Sequence, residues 1–357
     1  MRVYIGTYTG PKSRGIYIAA FNLVSGRLGR PTLAASTPSP SFLALHPKLP
    51  VLYAVGETSQ LGPNKEGAVS AFRIEAQSGE LTFLNREPSG GRGPCHLSVD
   101  SGGKWVLVAN YSSGSIAVLP VEPDGRLGAA RTIMQHHGSS VNAKRQAGAH
   151  AHFITTDPSD SFVLACDLGL DKVLVYRFDR LTGALTPNIP GAAVLEAGSG
   201  PRHLAFRPDG RRVYVVSEMA STVTAFDYDP ERGALHQFQT VSTIPRDFGG
   251  DNIAAEVAVH PSGKFLYASN RGHDTIAVFR IDPATGMLTP VEYQSSWGKT
   301  PRHFAIDPTG RWLLAANQDS DRIVVFRINQ RSGRLRPTGQ VVDVGAPACV
   351  LFSAPKL

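Results

Sequence analysis

The pattern of apolar and polar positions repeats six times along the chain. In each copy a short apolar run leads into a turn centred on Pro or Gly, and a second apolar run then ends in a polar cluster. The copies read PSFLALHPKLPVLYAVGE from Pro40, GPCHLSVDSGGKWVLVANY from Gly93, AHFITTDPSDSFVLACDLG from Ala151, GPRHLAFRPDGRRVYVVSE from Gly200, AAEVAVHPSGKFLYASNRG from Ala254 and TPRHFAIDPTGRWLLAANQ from Thr300. A repeat of roughly 50 residues is typical of propellers and solenoids.

Each copy predicts four strands. Around Arg202 the runs are HLAF, VYVVSE, TVTAFDYD and LHQFQTV, which are rich in β-branched and aromatic residues. Turn residues such as Asp209 and Gly210 separate the runs. Four-stranded units that repeat radially make a β-propeller, so the sequence predicts an all-β fold of antiparallel four-stranded blades.

The two ends of the chain supply the parts of one further blade. The N-terminus starts with VYIGTY and lacks a first strand, whereas the C-terminal PACVLFS has the pattern of a first strand without the rest. We therefore expect a seven-bladed β-propeller in which the N- and C-terminal strands share one blade and close the fold. Residues 1–357 are expected to form this single domain.

Composition agrees with a large all-β domain, because 42% of the residues are hydrophobic and 18% are charged. No apolar stretch approaches the ~20 residues of a membrane span, and Met1 and Arg2 lead directly into a strand rather than a signal peptide. Cys95, Cys166 and Cys349 each lie inside an apolar run. This predicts buried, reduced thiols and a cytoplasmic protein.

The formal charge of +7 is spread along the chain without a run of Lys or Arg. This distribution argues against a nucleic acid as partner and fits a small anionic ligand. We expect no membrane partner, and a chain that acts as a monomer or a weak homodimer.

Two sets of positions break the similarity between copies. In an antiparallel hairpin the start of the first strand and the end of the second lie at the same edge, so both sets should surround one mouth of the propeller channel. The first-strand set is Ser41, Cys95, His152, Arg202, Ala255, Arg302 and Ala348. The second-strand set is Glu57, Tyr111, Leu168, Glu218, Arg271, Gln318 and Tyr8.

Charged and imidazole side chains in these sets fall in successive copies. They are His152, Arg202 with Glu218, Arg271, and Arg302 with Gln318, whereas several other copies have Ser, Cys, Ala or Leu. Cations with one carboxylate and one imidazole suit an anionic substrate and acid–base chemistry. Solvated channel residues that pair with one another would give the same pattern.

The connection that ends at His152 is longer and more polar than the others. We expect it to fold over the mouth as a lid that carries Lys144 and Arg145, and we expect His150 to share a strand face with His152. Near the start of this connection, His136 and His137 have no third ligand at zinc-like spacing. They are therefore predicted to be solvated loop residues, with no metal bound.

Two further recurrent sets are expected to have structural roles. His96, His203 and His303 share one repeat position, which suggests a hydrogen bond that recurs in the blades. The second strands end in Asn110, Asp167, Asn270 and Asn317, whose oxygens could cradle Ca²⁺ but more often cap strands.

Over essentially its whole length the chain resembles the propeller lactonases typified by bacterial 6-phosphogluconolactonase, to which the fungal carboxymuconate cyclase is related. The motifs that carry the resemblance are YIGTYTG from Tyr4, GAHAHF around His150, GPRHLAFRPDGRRVYVVSE from Gly200, SNRGHDTIAVF from Ser269 and TPRHFAIDPTGRWLLAANQDSD from Thr300. The resemblance implies a site made of a histidine of the H-A-H motif, the Arg of P-R-H, the Glu after the next strand and the Arg of N-R. Here these are His150 or His152, Arg202, Glu218 and Arg271.

The predicted reaction is the hydrolysis of a small anionic sugar lactone, with 6-phosphogluconolactone as the leading substrate and no metal or cofactor. Glu218 or His152 would activate water, and Arg202 with Arg271 would face the oxyanion. The substrate phosphate would be held by Arg302 with Lys144 or Arg145, and His150 and Gln318 complete the predicted binding residues.

Three alternatives remain open at this point. A lactonising reaction on a carboxylated muconate would use the same groups, and a non-catalytic scaffold would use the blade faces. A Ca²⁺-dependent lactonase would need converging carboxylates, where this sequence places arginines instead.

Overall fold

The structure, a computed structural model, describes residues 1–61 and 65–353. Its described residues form seven four-stranded antiparallel sheets, which confirms the predicted seven-bladed all-β fold. Residues 62–64 and 354–357, which belong to the expected single domain, lie outside the described residues.

One sheet joins the two ends of the chain, as the sequence predicts. Its strands pair in the order β28–β1–β2–β3, where these strands are Pro347–Phe352 (β28), Arg2–Thr7 (β1), Gly15–Ala20 (β2) and Thr32–Ser36 (β3). We call it the terminal sheet.

The other six sheets are each built from four consecutive strands. The first of these contains Leu43–Leu45 (β4), Val51–Leu61 (β5), Glu66–Ile74 (β6) and Leu81–Pro88 (β7). The second contains Pro94–Val99 (β8), Trp105–Asn110 (β9), Ser115–Pro120 (β10) and Thr132–Gln135 (β11), and the third contains Ala151–Thr156 (β12), Phe162–Asp167 (β13), Lys172–Asp179 (β14) and Ala184–Val194 (β15).

The last three sheets follow the same plan. They contain Pro201–Phe206 (β16), Arg212–Ser217 (β17), Thr222–Asp229 (β18) and Ala234–Ser242 (β19); Ile253–Val259 (β20), Phe265–Arg271 (β21), Thr275–Ile281 (β22) and Leu288–Ser295 (β23); and Pro301–Ile306 (β24), Trp312–Asn317 (β25), Arg322–Ile328 (β26) and Leu335–Asp343 (β27). A short 3-10 helix, Gln318–Ser320, lies between β25 and β26.

Contacts divide the chain into two compact units. The first comprises Met1–Leu33, His203–Asp227 and the residues from His236 onwards, and the second comprises Ala34–Arg202 and Tyr228–Leu235. The apolar core of each unit lies between neighbouring sheets. In the first unit Val3 and Ile5 of the terminal sheet pack with Leu314 of β25, and in the second Tyr53 of β5 packs with Val106 of β9.

A tyrosine-to-turn hydrogen bond also links neighbouring sheets. The hydroxyl of a buried tyrosine in the second strand of one sheet donates to a glycine carbonyl in the turn between the third and fourth strands of the next. The pairs are Tyr53 to Gly125 (3.0 Å), Tyr214 to Gly286 (2.9 Å) and Tyr267 to Gly333 (2.7 Å). These bonds fix the spacing of adjacent sheets near the turns.

The three cysteines are buried and none of them forms a disulfide, as the sequence predicts. Burial raises the pKa of the Cys166 thiol well above its usual value, so that side chain behaves as a small apolar group. Within the described part of the chain, no helix has the length and apolar character needed to cross a membrane.

Candidate functional site

The predicted edge arrangement is present in the strand register. In three sheets the first residue of the first strand pairs with the last residue of the second strand: Pro94 with Asn110, Ala151 with Asp167, and Pro301 with Asn317. The start of a first strand therefore lies beside the end of the second, where the repeat comparison located its variable positions.

A β-bulge recurs at this edge. In three sheets the register shifts between the first and third residues of the first strand, so one residue is left out of the ladder. The residue left out is Cys95, His152 or Arg302, and Ala348 occupies the same place in the terminal sheet. Because a bulge re-aims the side chain of its extra residue, these positions can vary without changing the ladder.

In the first unit the structure brings Glu218 and Arg271 together. Nη2 of Arg271 donates to Oε2 of Glu218 at 2.7 Å and to the carbonyl of Ala254 at 3.0 Å. The Glu218 carbonyl in turn accepts the Ala254 amide at 3.0 Å. The side chain of Glu218 is 5% exposed and that of Arg271 is 9% exposed, so their attraction is screened little by water. Glu218 therefore fixes the direction of the Arg271 guanidinium.

In the second unit a cluster forms around Tyr111. The ring of His150 stacks on the Tyr111 ring at 4.5 Å, and the ring of His152 meets it edge-on at 5.4 Å. Nη2 of Arg145 donates to the Tyr111 hydroxyl at 3.3 Å. The sequence reasoning placed Tyr111 in the second-strand set but not in the site. Its position beside two candidate histidines is the signal that was missed.

The hydrogen bonds of His150 determine which ring nitrogen can accept a proton. Nδ1 lies 2.9 Å from the Tyr111 carbonyl oxygen, and a carbonyl only accepts, so Nδ1 carries the hydrogen. In the neutral ring the lone pair is then on Nε2. The His150 amide donates to Oδ1 of Asp167 at 2.8 Å, and the side chain is half-buried.

His152 is in a different environment from His150. It is 5% exposed, and its Nδ1 lies 3.8 Å from the Sγ atom of Cys95. Repeat alignment favours His152 as the site histidine, whereas the lone pair on Nε2 favours His150 as a proton acceptor.

The remaining candidates occupy varied settings. Arg202, the second residue of β16, is 3% exposed. The Arg302 guanidinium lies 5.2 Å above the ring of Tyr8, at a distance suited to a cation–π contact. Gln318 donates to Oδ1 of Asp319 at 2.9 Å within the 3-10 helix, and the Lys144 side chain is exposed.

The expectation that His136 is solvated is wrong. His136 is 5% exposed, and its Nδ1 lies 2.7 Å from Oδ2 of Asp167, whereas His137 is exposed as expected. The reason is the carboxylate of Asp167. Asp167 lies at the end of a second strand, where three other copies have asparagine. An asparagine side chain can donate a hydrogen bond, whereas a carboxylate only accepts, so Asp167 needs a donor beside it.

The asparagines at the ends of the second strands have the predicted structural role. Each donates through Nδ2 to a backbone carbonyl. The bonds are Asn110 to Ser89 (3.0 Å), Asn270 to Thr243 (2.7 Å) and Asn317 to Ser296 (3.1 Å). Among the described residues, no group of three or more His, Cys, Asp or Glu side chains is placed to hold a metal ion.

The recurrent histidines also have a structural role, in two copies as backbone acceptors. Nδ1 of His96 accepts the Ile154 amide, and Nδ1 of His303 accepts the Val350 amide, both at 3.3 Å. In the third copy Nδ1 of His203 instead lies 3.0 Å from Oε2 of Glu256.

Comparison with known proteins adds an independent line of evidence. The sequence profile of the family described as "Lactonase, 7-bladed beta-propeller" matches residues 2–352. A protein of Bacillus subtilis named 6-phosphogluconolactonase is 38% identical over 301 residues, which cover 84% of this chain and 83% of that protein. A Formosa agariphila protein of the same name is 32% identical over 307 residues, or 85% of each chain.

A solved structure gives the same result. The periplasmic gluconolactonase of Pseudomonas aeruginosa superposes with a TM-score of 0.92 at 35% identity, covering 99% of both chains. The seven four-stranded sheets, the shared terminal sheet and these matches agree throughout the described chain. The protein therefore belongs to the lactonase family of seven-bladed β-propellers, and it is a lactone-hydrolysing enzyme.

Proposed function

We propose that this enzyme hydrolyses 6-phosphogluconolactone to 6-phosphogluconate without a metal ion. The choice of lactone is supported by relatives of that name at 38% and 32% identity. The arginines at the variable positions supply the positive charge that a phosphorylated substrate needs.

The observation that carries the proposal is the orientation of His150. Its Nδ1–H is engaged by the Tyr111 carbonyl, so Nε2 is the ring nitrogen that can take a proton from water. The imidazolium formed in this step would be stabilised by the same carbonyl and by the face of the stacked Tyr111 ring. We therefore assign the general base to His150 rather than to His152 or Glu218.

Glu218 has a different part in this proposal. Its Oε2 receives the Arg271 guanidinium at 2.7 Å, so the carboxylate orients a cation. Arg271 and Arg202 stabilise the negative charge that develops on the lactone carbonyl oxygen when water adds. These cations replace the Lewis acid that a metal ion would supply.

Binding of the phosphate is assigned to the other candidates. Arg302 and Arg145 can hold phosphate oxygens in pairs, since a guanidinium donates through two parallel N–H groups. The exposed Lys144 adds charge on the same connection as Arg145, and His152 and Gln318 contact the sugar.

The test is steady-state hydrolysis of 6-phosphogluconolactone and of unphosphorylated gluconolactone, each with and without EDTA. We expect the phosphorylated lactone to be preferred by at least ~10-fold in kcat/KM, since one charge-assisted hydrogen bond contributes about 1.5–3 kcal/mol. EDTA should have no effect. Spontaneous opening is subtracted at each pH. A rate no higher than the spontaneous one for both lactones would reject the proposal.

We further propose that the enzyme acts in the cytoplasm as a monomer or weak homodimer, in the pathway that oxidises glucose 6-phosphate. Three buried cysteines that form no disulfide fit a reducing compartment. Cell fractionation tests the location, and recovery in the periplasm would reject it. Sedimentation by analytical ultracentrifugation tests the oligomeric state.

A further inference from the structure

One buried carboxylate ties the long connection before β12 to the rest of its sheet. Asp171 lies in the turn between β13 and β14 with φ 54° and is 2% exposed. Its Oδ2 accepts the Ser140 hydroxyl at 2.6 Å, and its Oδ1 accepts Nε2 of Gln146 at 2.8 Å. Both partners belong to the connection that carries Arg145 and His150.

The same carboxylate holds the backbone that leads into β16. Oδ2 accepts the Gly198 amide and Oδ1 accepts the Gly200 amide, both at 2.7 Å, and the Ser199 hydroxyl lies 3.3 Å from Oδ1. Arg202 follows Gly200 by two residues. Five donors from two chain segments thus converge on one carboxylate, whose negative charge strengthens each bond.

We propose that Asp171 is a positioning residue that sets the placement of the connection bearing Arg145 relative to the strand start bearing Arg202. The inference rests on the proposed function, in which both arginines contact the substrate. Asp171 touches no reacting atom in this assignment, and it acts through the two segments that it holds.

The repeat offers a matched control. Asp321 also has a left-handed backbone, with φ 52°, and its Oδ1 accepts the Ala346 amide at 2.8 Å. Its other carboxylate bond goes to Lys12. The strand start that it holds leads to Ala348, the counterpart of Arg202. Asp321→Asn therefore disturbs the same kind of turn, and the printed bonds of the Asp321 carboxylate go to Ala346 and Lys12, neither of which is a proposed substrate residue.

The experiment compares wild type, Asp171→Asn and Asp321→Asn. An amide nitrogen cannot accept the bonds that one carboxylate oxygen receives, so Asp171→Asn should raise KM for 6-phosphogluconolactone by at least ~10-fold. The value of kcat should stay within about twofold of the wild-type value, because His150 is held by Tyr111 and Asp167 instead. Asp321→Asn should keep KM within about twofold of the wild-type value.

Limited trypsin digestion gives a readout that needs no substrate. Cleavage after Lys144 or Arg145 requires the chain around the buried Gln146 to open. Asp171→Asn should increase the rate of cleavage at these two bonds by at least ~10-fold, whereas Asp321→Asn should not.

An Asp171→Asn variant with wild-type KM or wild-type trypsin resistance overturns the inference, as does an equal effect of Asp321→Asn. If Asp171→Asn does not fold, Ser140→Ala removes one bond from the connection alone, and no rise in cleavage or KM then counts against the inference. If the wild type hydrolyses no lactone, the proposed function fails. Whether Asp171 holds the two segments in place is then decided by the trypsin comparison alone.

Discussion

Arg271 illustrates how one side chain can be constrained by several neighbours. Its guanidinium is held by Glu218 and by the Ala254 carbonyl, and it is nearly buried. An ion pair with so little exposure is costly to break from one side, because the remaining charge then loses a buried counter-charge. The direction of the Arg271 charge is therefore set by its neighbours in the fold.

Arg271→Ala should lower kcat/KM for 6-phosphogluconolactone by at least ~10-fold, since the oxyanion loses a charged donor. Loss of the buried ion pair with Glu218 should also lower the thermal midpoint. Arg280→Ala, on the neighbouring strand β22, removes an exposed arginine and serves as the control. Steady-state kinetics and thermal denaturation measure both effects, and wild-type kinetics in a folded Arg271→Ala would remove this residue from the reaction.

The roles of His150 and His152 can be distinguished by replacing each of them with glutamine. His150→Gln should reduce kcat by roughly 10²–10⁴ because the proton acceptor is lost, whereas His152→Gln should retain most of its turnover. Steady-state hydrolysis of 6-phosphogluconolactone by the wild type and both variants at one pH measures the difference. The opposite ranking of the two variants would transfer the role of base to His152.

At the scale of strands and turns, the sheets are joined by close approaches of glycine to large side chains. Gly333 has φ 75°, and a Cβ atom there would lie 2.5 Å from the ring of Phe265. Gly339 has φ 83°, but a Cβ atom there would meet no atom within 4 Å. The two glycines share the backbone requirement and differ in the packing requirement.

Gly339→Ala should therefore cost about 1–2 kcal/mol of unfolding free energy, from the left-handed backbone alone. Gly333→Ala should cost a further ~1–3 kcal/mol, because the methyl group forces Phe265 out of place. Denaturant unfolding of both variants measures the difference. Equal destabilisation would show that Phe265 moves aside without penalty.

The strands and the shared edge could be predicted from the sequence, because turn residues and apolar runs are local signals. The bulge that displaces His152 could not, since it depends on how two strands pair rather than on either strand alone. The bond between His136 and Asp167 was missed for the same reason. Its partners are 31 residues apart, and only the substitution of Asp for Asn in one copy signals it.

At the scale of the whole molecule, the terminal sheet makes the fold depend on residues far apart in sequence. Strand β28 contributes Val350 and Phe352 to the core cluster that contains Val3 and Ile5. Burying a side chain of this size contributes about 1.5–3 kcal/mol. Two such residues amount to a large share of the 5–15 kcal/mol by which domains are typically stable.

Removal of the chain from Pro347 onwards should therefore lower the thermal midpoint sharply or prevent folding. A synthetic peptide of residues 346–353, added to the truncated chain, should restore the midpoint in a concentration-dependent manner. The same peptide with Val350→Asp should not restore it. A truncated chain that melts like the wild type would show that β28 is dispensable.

The pairing of β28 with β1 also has a consequence for synthesis on the ribosome. At about 5–20 residues per second, β1 emerges on the order of tens of seconds before its partner is made. During that time the edge of β1 that will pair with β28, from Val3 to Thr7, has no strand beside it. A nascent chain with an open, apolar strand edge is a target for chaperones and for other nascent chains on the same message. Strand β28, which is made long after β1, is thus the one that ends this exposure.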